Sequence, residues 1–315
     1  SEMCIRDSGN VAYTFPYDVN SSVSSFNVLA GTGAGRAEPF AADLCVVTEN
    51  QTGDGSVDMS QASAAVLFDV NNKKVLYSKN AHERLYPASL TKVMTALVAL
   101  QNASPDTVLT ATDSVKITES GAQLCGLKAG DTMTLDQALH ILLMYSANDA
   151  AMLIAENIGG SVDHFVEMMN EEAQRLGATN TSFANPHGLS DDNHYTSAYD
   201  LYLIFNACIQ DQRFMDIISM DSYTMNLTGA DGTTRTFDVV PTNYYSSGKI
   251  NAPEGIRVFG GKTGTTDEAG CCVILYSEDL EKNPYISIIM GAEDKSFLYQ
   301  EMNRLLEAGE TTKTE

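Results

Sequence analysis

Basic residues are scarce in this chain: 19 Lys and Arg stand against 41 Asp and Glu, a formal charge of −22 over 315 residues. A protein that grips a polyanion carries a basic face, so the balance argues against nucleic acid as a partner. It argues equally against recruitment to anionic lipid by this chain alone. The acidity reads as a means of staying soluble. Long apolar runs are also missing: none approaches the roughly eighteen residues of a membrane span. No basic region followed by an apolar stretch opens the N-terminus, so a signal peptide is not visible. Ser1 to Ser8 join awkwardly to the residues after them and read as a remnant of cloning or assembly. Six cysteines, Cys4, Cys45, Cys125, Cys208, Cys271 and Cys272, form neither a CxxC pair nor a zinc spacing. They are expected as free thiols, mostly in the core.

What is present divides into three stretches. Residues 1–60 are rich in Ser, Gly, Ala, Asn and Asp without sustained periodicity, and read as a poorly ordered leader or linker. A short strand is expected within it at Leu44 to Thr48. Residues 61–310 carry the periodic sequence, and 311–315 form a polar tail. Ala64 to Val70 and Val75 to Ser78 flank a polar turn, as a β-hairpin requires. Pro87-Ala88-Ser89 opens a helix that continues to Leu100. The pattern from Leu135 to Asp211 is largely helical, with apolar residues at helical spacing in Leu135 to Met144 and Ala150 to Ala155 and a break at Gly159-Gly160. Strand character returns at Gly270 to Ser277 and Pro284 to Gly291, and a last helix spans Phe297 to Ala308. The fold class is therefore α/β (α+β): one antiparallel sheet built from both chain ends, flanked by helices, with a helical insertion between.

Three short motifs carry chemistry. Ser89 and Lys92 stand three apart at a helix start and so project from one face. A serine hydroxyl is a poor nucleophile until a base takes its proton, and an amine can do so only when neutral. At a helix N-terminus the dipole and the free N–H groups favour developing negative charge. Taken alone, the pair reads as an ordinary N-cap. Ser146-Ala147-Asn148 is a polar turn between apolar helical runs, so its hydroxyl and amide need buried partners. Lys262-Thr263-Gly264-Thr265-Thr266 puts a cation and three hydroxyls at a strand edge, where an extended peptide can add and its carboxylate be held.

Ser-x-x-Lys, Ser-x-Asn and Lys-Thr-Gly in this order are the signature of penicillin-binding proteins and class A β-lactamases. Supporting residues include Asn185-Pro186-His187-Gly188-Leu189, Thr196 to Asp200 and Glu268-Ala269-Gly270. On these residues the chain resembles the low-molecular-mass penicillin-binding proteins, the serine D-alanyl-D-alanine carboxypeptidases, over about residues 62 to 308. The resemblance implies the β-lactamase/DD-peptidase-like fold, with the Ser-x-Asn motif on the helical insertion. It implies Ser89 as the nucleophile, Lys92 as its base and Ser146 as a proton relay, the catalytic set. Asn148, Lys262, Thr263, Gly264 and Thr265 become the substrate-binding set, with the N–H groups of Ser89 and Thr265 as the oxyanion hole. The implied partner is a peptidoglycan stem peptide ending in D-Ala-D-Ala, with β-lactam antibiotics as covalent inhibitors and no metal or cofactor.

The implied setting is extracytoplasmic, secreted or on the outer face of the bacterial cytoplasmic membrane. A β-rich C-terminal domain and a membrane anchor often accompany the family and are not visible here. A β-lactamase reading is disfavoured because no Glu-x-x-Leu-Asn stands between the second and third motifs. A penicillin-binding sensor or wall-binding module that acylates without turnover stays open, as does endopeptidase action. Family members often carry an arginine before the last helix. Here the nearest cation is Lys295. The segments holding His187 and His194 are expected to shape the floor and rim of the site, and Cys271 and Cys272 to pack near it.

Overall fold

In the computed structural model of the chain the described residues are 4–6, 12–14 and 43–311. Most of the expected leader, and the tail from 312 on, lie outside them. The chain divides into two units, Ser1–Asp43 and Leu44–Glu315. In the first, β1 (Cys4–Arg6) pairs antiparallel with β2 (Ala12–Thr14).

The second unit is built on a five-stranded antiparallel sheet. β3 (Ala64–Asp69) and β4 (Lys74–Lys79) are the expected hairpin; β9 (Ile256–Thr266), β10 (Gly270–Asp279) and β11 (Pro284–Ala292) complete the order β4-β3-β11-β10-β9. The two ends of the sequence thus meet in one sheet, through the pairing of β3 with β11. Alternate residues of the central strands serve two cores. Val66, Phe68, Ile274 and Ile288 face one, while Leu67, Val273, Leu275 and Ile289 face the other. Both faces are covered, so these strands read as continuous apolar runs rather than as alternation.

On the second face lies α8 (Lys295–Thr311), which buries Leu298, Met302, Leu305 and Leu306. The first core also holds α1 (Lys92–Asn102), whose residues from Lys92 to Leu100 are all buried. A helix apolar all round has to be central, and α3 (Asn148–Gly159), α4 (Val162–Arg175) and α5 (Ala198–Ile209) pack around it. Gly160, at φ 77°, ends α3 in the left-handed region, and Ser161 caps the next helix. This is the break expected at Gly159-Gly160. Among the described residues no helix is long and apolar enough to cross a membrane.

A second sheet, β5-β6-β7-β8, was not foreseen. β5 (Val108–Thr110) and β6 (Thr132–Thr134) are three residues each, too short to show a period. β7 (Tyr223–Thr228) does alternate, with Met225 and Leu227 buried between exposed Thr224, Asn226 and Thr228, and pairs with β8 (Thr234–Val239). The strand expected at Leu44 to Thr48 does not form. Its backbone groups bond to side chains instead: the Cys45 N–H donates to Tyr202 Oη at 3.0 Å and Tyr199 Oη donates to the Cys45 carbonyl at 2.7 Å. Cys45, Cys125, Cys208, Cys271 and Cys272 are free, and all of these but half-buried Cys125 are buried.

Candidate active site

The helix expected from Ser89 begins as a 3-10 turn, Ala88–Thr91, and becomes α-helical only at Lys92. Ser89 caps nothing: the turn's N-cap is Pro87, without a side-chain bond. Its Oγ lies 2.6 Å from Lys92 Nζ. Lys92 is fully buried. Its amine also donates to Asn148 Oδ1 and to the His187 carbonyl, each at 2.8 Å. Asn148 Oδ1 and the carbonyl oxygen can only accept, so these two bonds use both protons of a neutral amine and leave its lone pair for the Ser89 hydroxyl. Burial, and then the charge of Lys262, hold the Lys92 pKa well below the usual lysine range, against the pull of Asp149.

Ser146 reaches the same cleft by an unusual route. α2 (Leu135–His140), opened by a Thr134–Gln137 capping box, widens into a π-turn over Ile141–Tyr145. Such turns gather at functional sites. The chain leaves it through Ser146 at φ 66° and enters α3 at Asn148. Ala88, next to Ser89, is also left-handed at φ 48°. Non-glycine residues held there carry strain that the surroundings must offset. Asp149 secures the facing loop: its carboxylate accepts from the N–H groups of Cys125, Gly126 and Leu127 at 2.9–3.1 Å.

β9 is the edge strand of its sheet and runs past the Ala88–Thr91 turn. Gly264 makes the approach possible, since a Cβ there would stand 2.6 Å from the Ser89 nitrogen. Lys262 is buried, its Nζ donating to the Thr263 carbonyl at 2.6 Å, and desolvation lowers its pKa to about 7. Thr263 Oγ1 lies 2.6 Å from Thr242 Oγ1. Ser89, Ser146, Asn148, Thr263, Gly264 and Thr265 line one cleft of about 650 Å³, with Lys295 on its wall. Every expected site residue is therefore in or directly beneath one cavity. Ser246 and Lys249 repeat the Ser-x-x-Lys spacing, but Lys249 sits over the Tyr244 ring at 4.8 Å, beside the short α7 (Tyr244–Ser247).

Sequence reasoning missed Asp149, Thr242 and the His187 carbonyl. Asp149 directly follows the Ser-x-Asn motif, which was a usable signal; a backbone carbonyl offers none. The imidazoles of His187 and His194 are buried, and burial lowers their pKa to about 3 and about 4, so both are neutral. Neither contacts Ser89 in the manner of a triad. Cys271 lies under Thr265 Oγ1 at 3.7 Å, and Cys272 borders the cleft with its pKa raised by burial to about 12.

A half-buried serine beside a buried lysine, a second serine and a lysine-bearing edge strand surround one cleft, an arrangement chemically able to carry acyl transfer on the serine. The solved Streptomyces K15 DD-transpeptidase matches the fold with a TM-score of 0.75 and 25% identity, over 81% of this chain and 99% of that one. The D-alanyl-D-alanine carboxypeptidase family model, peptidase S11, matches residues 49–294, and the chain belongs to that family. It is 33% identical to the D-alanyl-D-alanine carboxypeptidase DacF of Bacillus subtilis, over 78% of this chain and 61% of that protein. With DacC of Escherichia coli it shares 30% identity, over 90% of this chain and 69% of that protein. The chain thus spans about two thirds of the length of these relatives.

Proposed function

We propose that this chain is a serine-type D-Ala-D-Ala carboxypeptidase that removes the terminal D-alanine from peptidoglycan stem peptides through an acyl-enzyme on Ser89. The observation that carries the reading is the Lys92 amine, buried, with both its protons engaged and 2.6 Å from Ser89 Oγ. Lys92 takes the Ser89 proton as Oγ attacks the carbonyl between the two D-alanines. The N–H groups of Ser89 and Thr265 receive the oxyanion. Collapse expels the D-alanine amine, which gains its proton from Lys92 by way of Ser146, and water then releases the shortened peptide. Lys262, Thr263 and Thr265 hold the substrate carboxylate, while Asn148 binds substrate amide and orients Lys92. β-Lactams acylate the same serine, and the protein acts outside the cytoplasmic membrane, where its substrate lies.

Mass spectrometry after benzylpenicillin tests this. One adduct on the Ser89 peptide is expected; no adduct overturns the reading. Steady-state D-alanine release from a D-Ala-D-Ala peptide then separates the activities. Turnover supports the carboxypeptidase, a burst alone would make the chain a sensor, and fast nitrocefin turnover would make it a β-lactamase.

A further inference from the structure

Beneath the nucleophile turn lies a line of hydrogen bonds that the proposed reaction does not use. The Ala184 N–H donates to His194 Nδ1 at 2.9 Å, which makes that nitrogen the acceptor and puts the ring proton on Nε2. His194 Nε2 lies 2.7 Å from Thr91 Oγ1, and the Thr91 hydroxyl donates to the Ala88 carbonyl at 2.9 Å. Each group has one direction open to it, so the line runs Ala184 N–H to His194, His194 Nε2–H to Thr91, and Thr91 O–H to Ala88 O. Both His194 and Thr91 are wholly buried. The segment bearing His194 is tied to the approach to the turn by reciprocal bonds between Leu85 and Thr196, at 2.8 and 3.0 Å.

The line ends on a peptide unit with two functions. A trans peptide is planar, so the direction of the Ala88 carbonyl fixes the opposite direction of the Ser89 N–H. Ala88 is held at φ 48°, a conformation that persists only where the surroundings impose it. The unit is hemmed in from both sides. A Cβ on Gly188 would stand 1.9 Å from the Ala88 oxygen, and one on Gly264 would stand 2.6 Å from the Ser89 nitrogen.

Resting on the proposed acyl-enzyme function, we propose that Thr91 and His194 are positioning residues for the oxyanion hole: through the Ala88 carbonyl they set and polarise the Ser89 N–H. A hydrogen bond to the carbonyl of an amide strengthens the same amide as a donor. The contribution is to the transition state, where charge gathers on the oxyanion, and not to ground-state binding.

The test compares Thr91→Val, Thr91→Ser and His194→Phe in the full chain, by benzylpenicillin acylation and by kcat and KM on a D-Ala-D-Ala peptide. Thr91→Val is expected to lose roughly tenfold to hundredfold in acylation and kcat, as misplaced donors do, with KM within about twofold. Thr91→Ser, which keeps the hydroxyl, restores most of the rate. A folded Thr91→Val that acylates at the wild-type rate, or whose loss lies in KM, overturns the proposal. If that variant does not fold, His194→Phe takes its place with the same expected split, and a wild-type rate there is the overturning result. Failure of the wild-type protein to acylate would instead undo the function on which the proposal rests.

Discussion

Lys92 has three polar neighbours and, when neutral, two protons to give. Its chemistry therefore depends on which protonation state the site enforces. As pH falls through its lowered pKa the amine gains a third proton, loses the lone pair facing Ser89, and acylation slows. In the proposed reaction Lys262 has the opposite requirement, because its charge is what would hold the substrate carboxylate. With a pKa near 7 it loses that charge as pH rises above about 7, so KM for a carboxylate-ended peptide should climb there while KM at pH 6 stays low. A pH series of KM for wild type and Lys262→Arg checks this; a flat wild-type KM from pH 6 to 9 contradicts it. Lys295 is exposed on the cleft wall. An exposed ion pair of this kind contributes up to about 1 kcal/mol. Lys295→Ala should therefore raise KM roughly twofold to fivefold without lowering kcat, and unchanged kinetics would remove Lys295 from the site.

At the scale of elements, the site is a junction between an edge strand and a helix start. β9 and the nucleophile turn come as close as they do only because position 264 has no side chain. Gly264→Ala must push the strand or the turn aside. Roughly a hundredfold loss of acylation is expected, since displacements of about 1 Å have that effect. Gly248→Ala is the contrast. It sits at φ 77° with open space around the added methyl, so backbone strain lowers stability by about 1 kcal/mol or more while acylation is retained. Measuring acylation rate and urea midpoint for both variants separates steric approach from backbone strain. Equal loss of activity in the two would show that close approach is not what Gly264 provides.

Over the whole molecule, burial of neutral histidines ties stability to pH. His187 and His194 have folded pKa values of about 3 and about 4, below the ordinary 6.5 of the unfolded chain. Between those values the unfolded state binds more protons, so stability falls as pH drops from about 6.5 toward 4. Each histidine contributes up to about 1.4 kcal/mol per pH unit. Urea midpoints should therefore decline from near pH 6.5, above the range where exposed carboxylates titrate. His187→Gln, which cannot be protonated, should flatten that decline; an unchanged slope would locate it in other groups.

Much of this protein was determined by the sequence alone. The hairpin at Ala64, the apolar strands after Gly270, the last helix and the three motifs are all local patterns, and periodicity reports local patterns. Other features were decided by tertiary structure. The Ser89–Lys92 spacing cannot tell a helix cap from a nucleophile. Desolvation of Lys92 and the arrival of Asn148 and the His187 carbonyl favour the proposed nucleophile, and these come from distant parts of the chain. The second sheet escaped for the same reason, as three-residue strands exist only through their partners. Extended chain at Cys45 likewise failed to become a strand because two tyrosine hydroxyls took its backbone groups first. Side-chain pattern is written along the chain, whereas the protonation state of a buried amine depends on what packs around it.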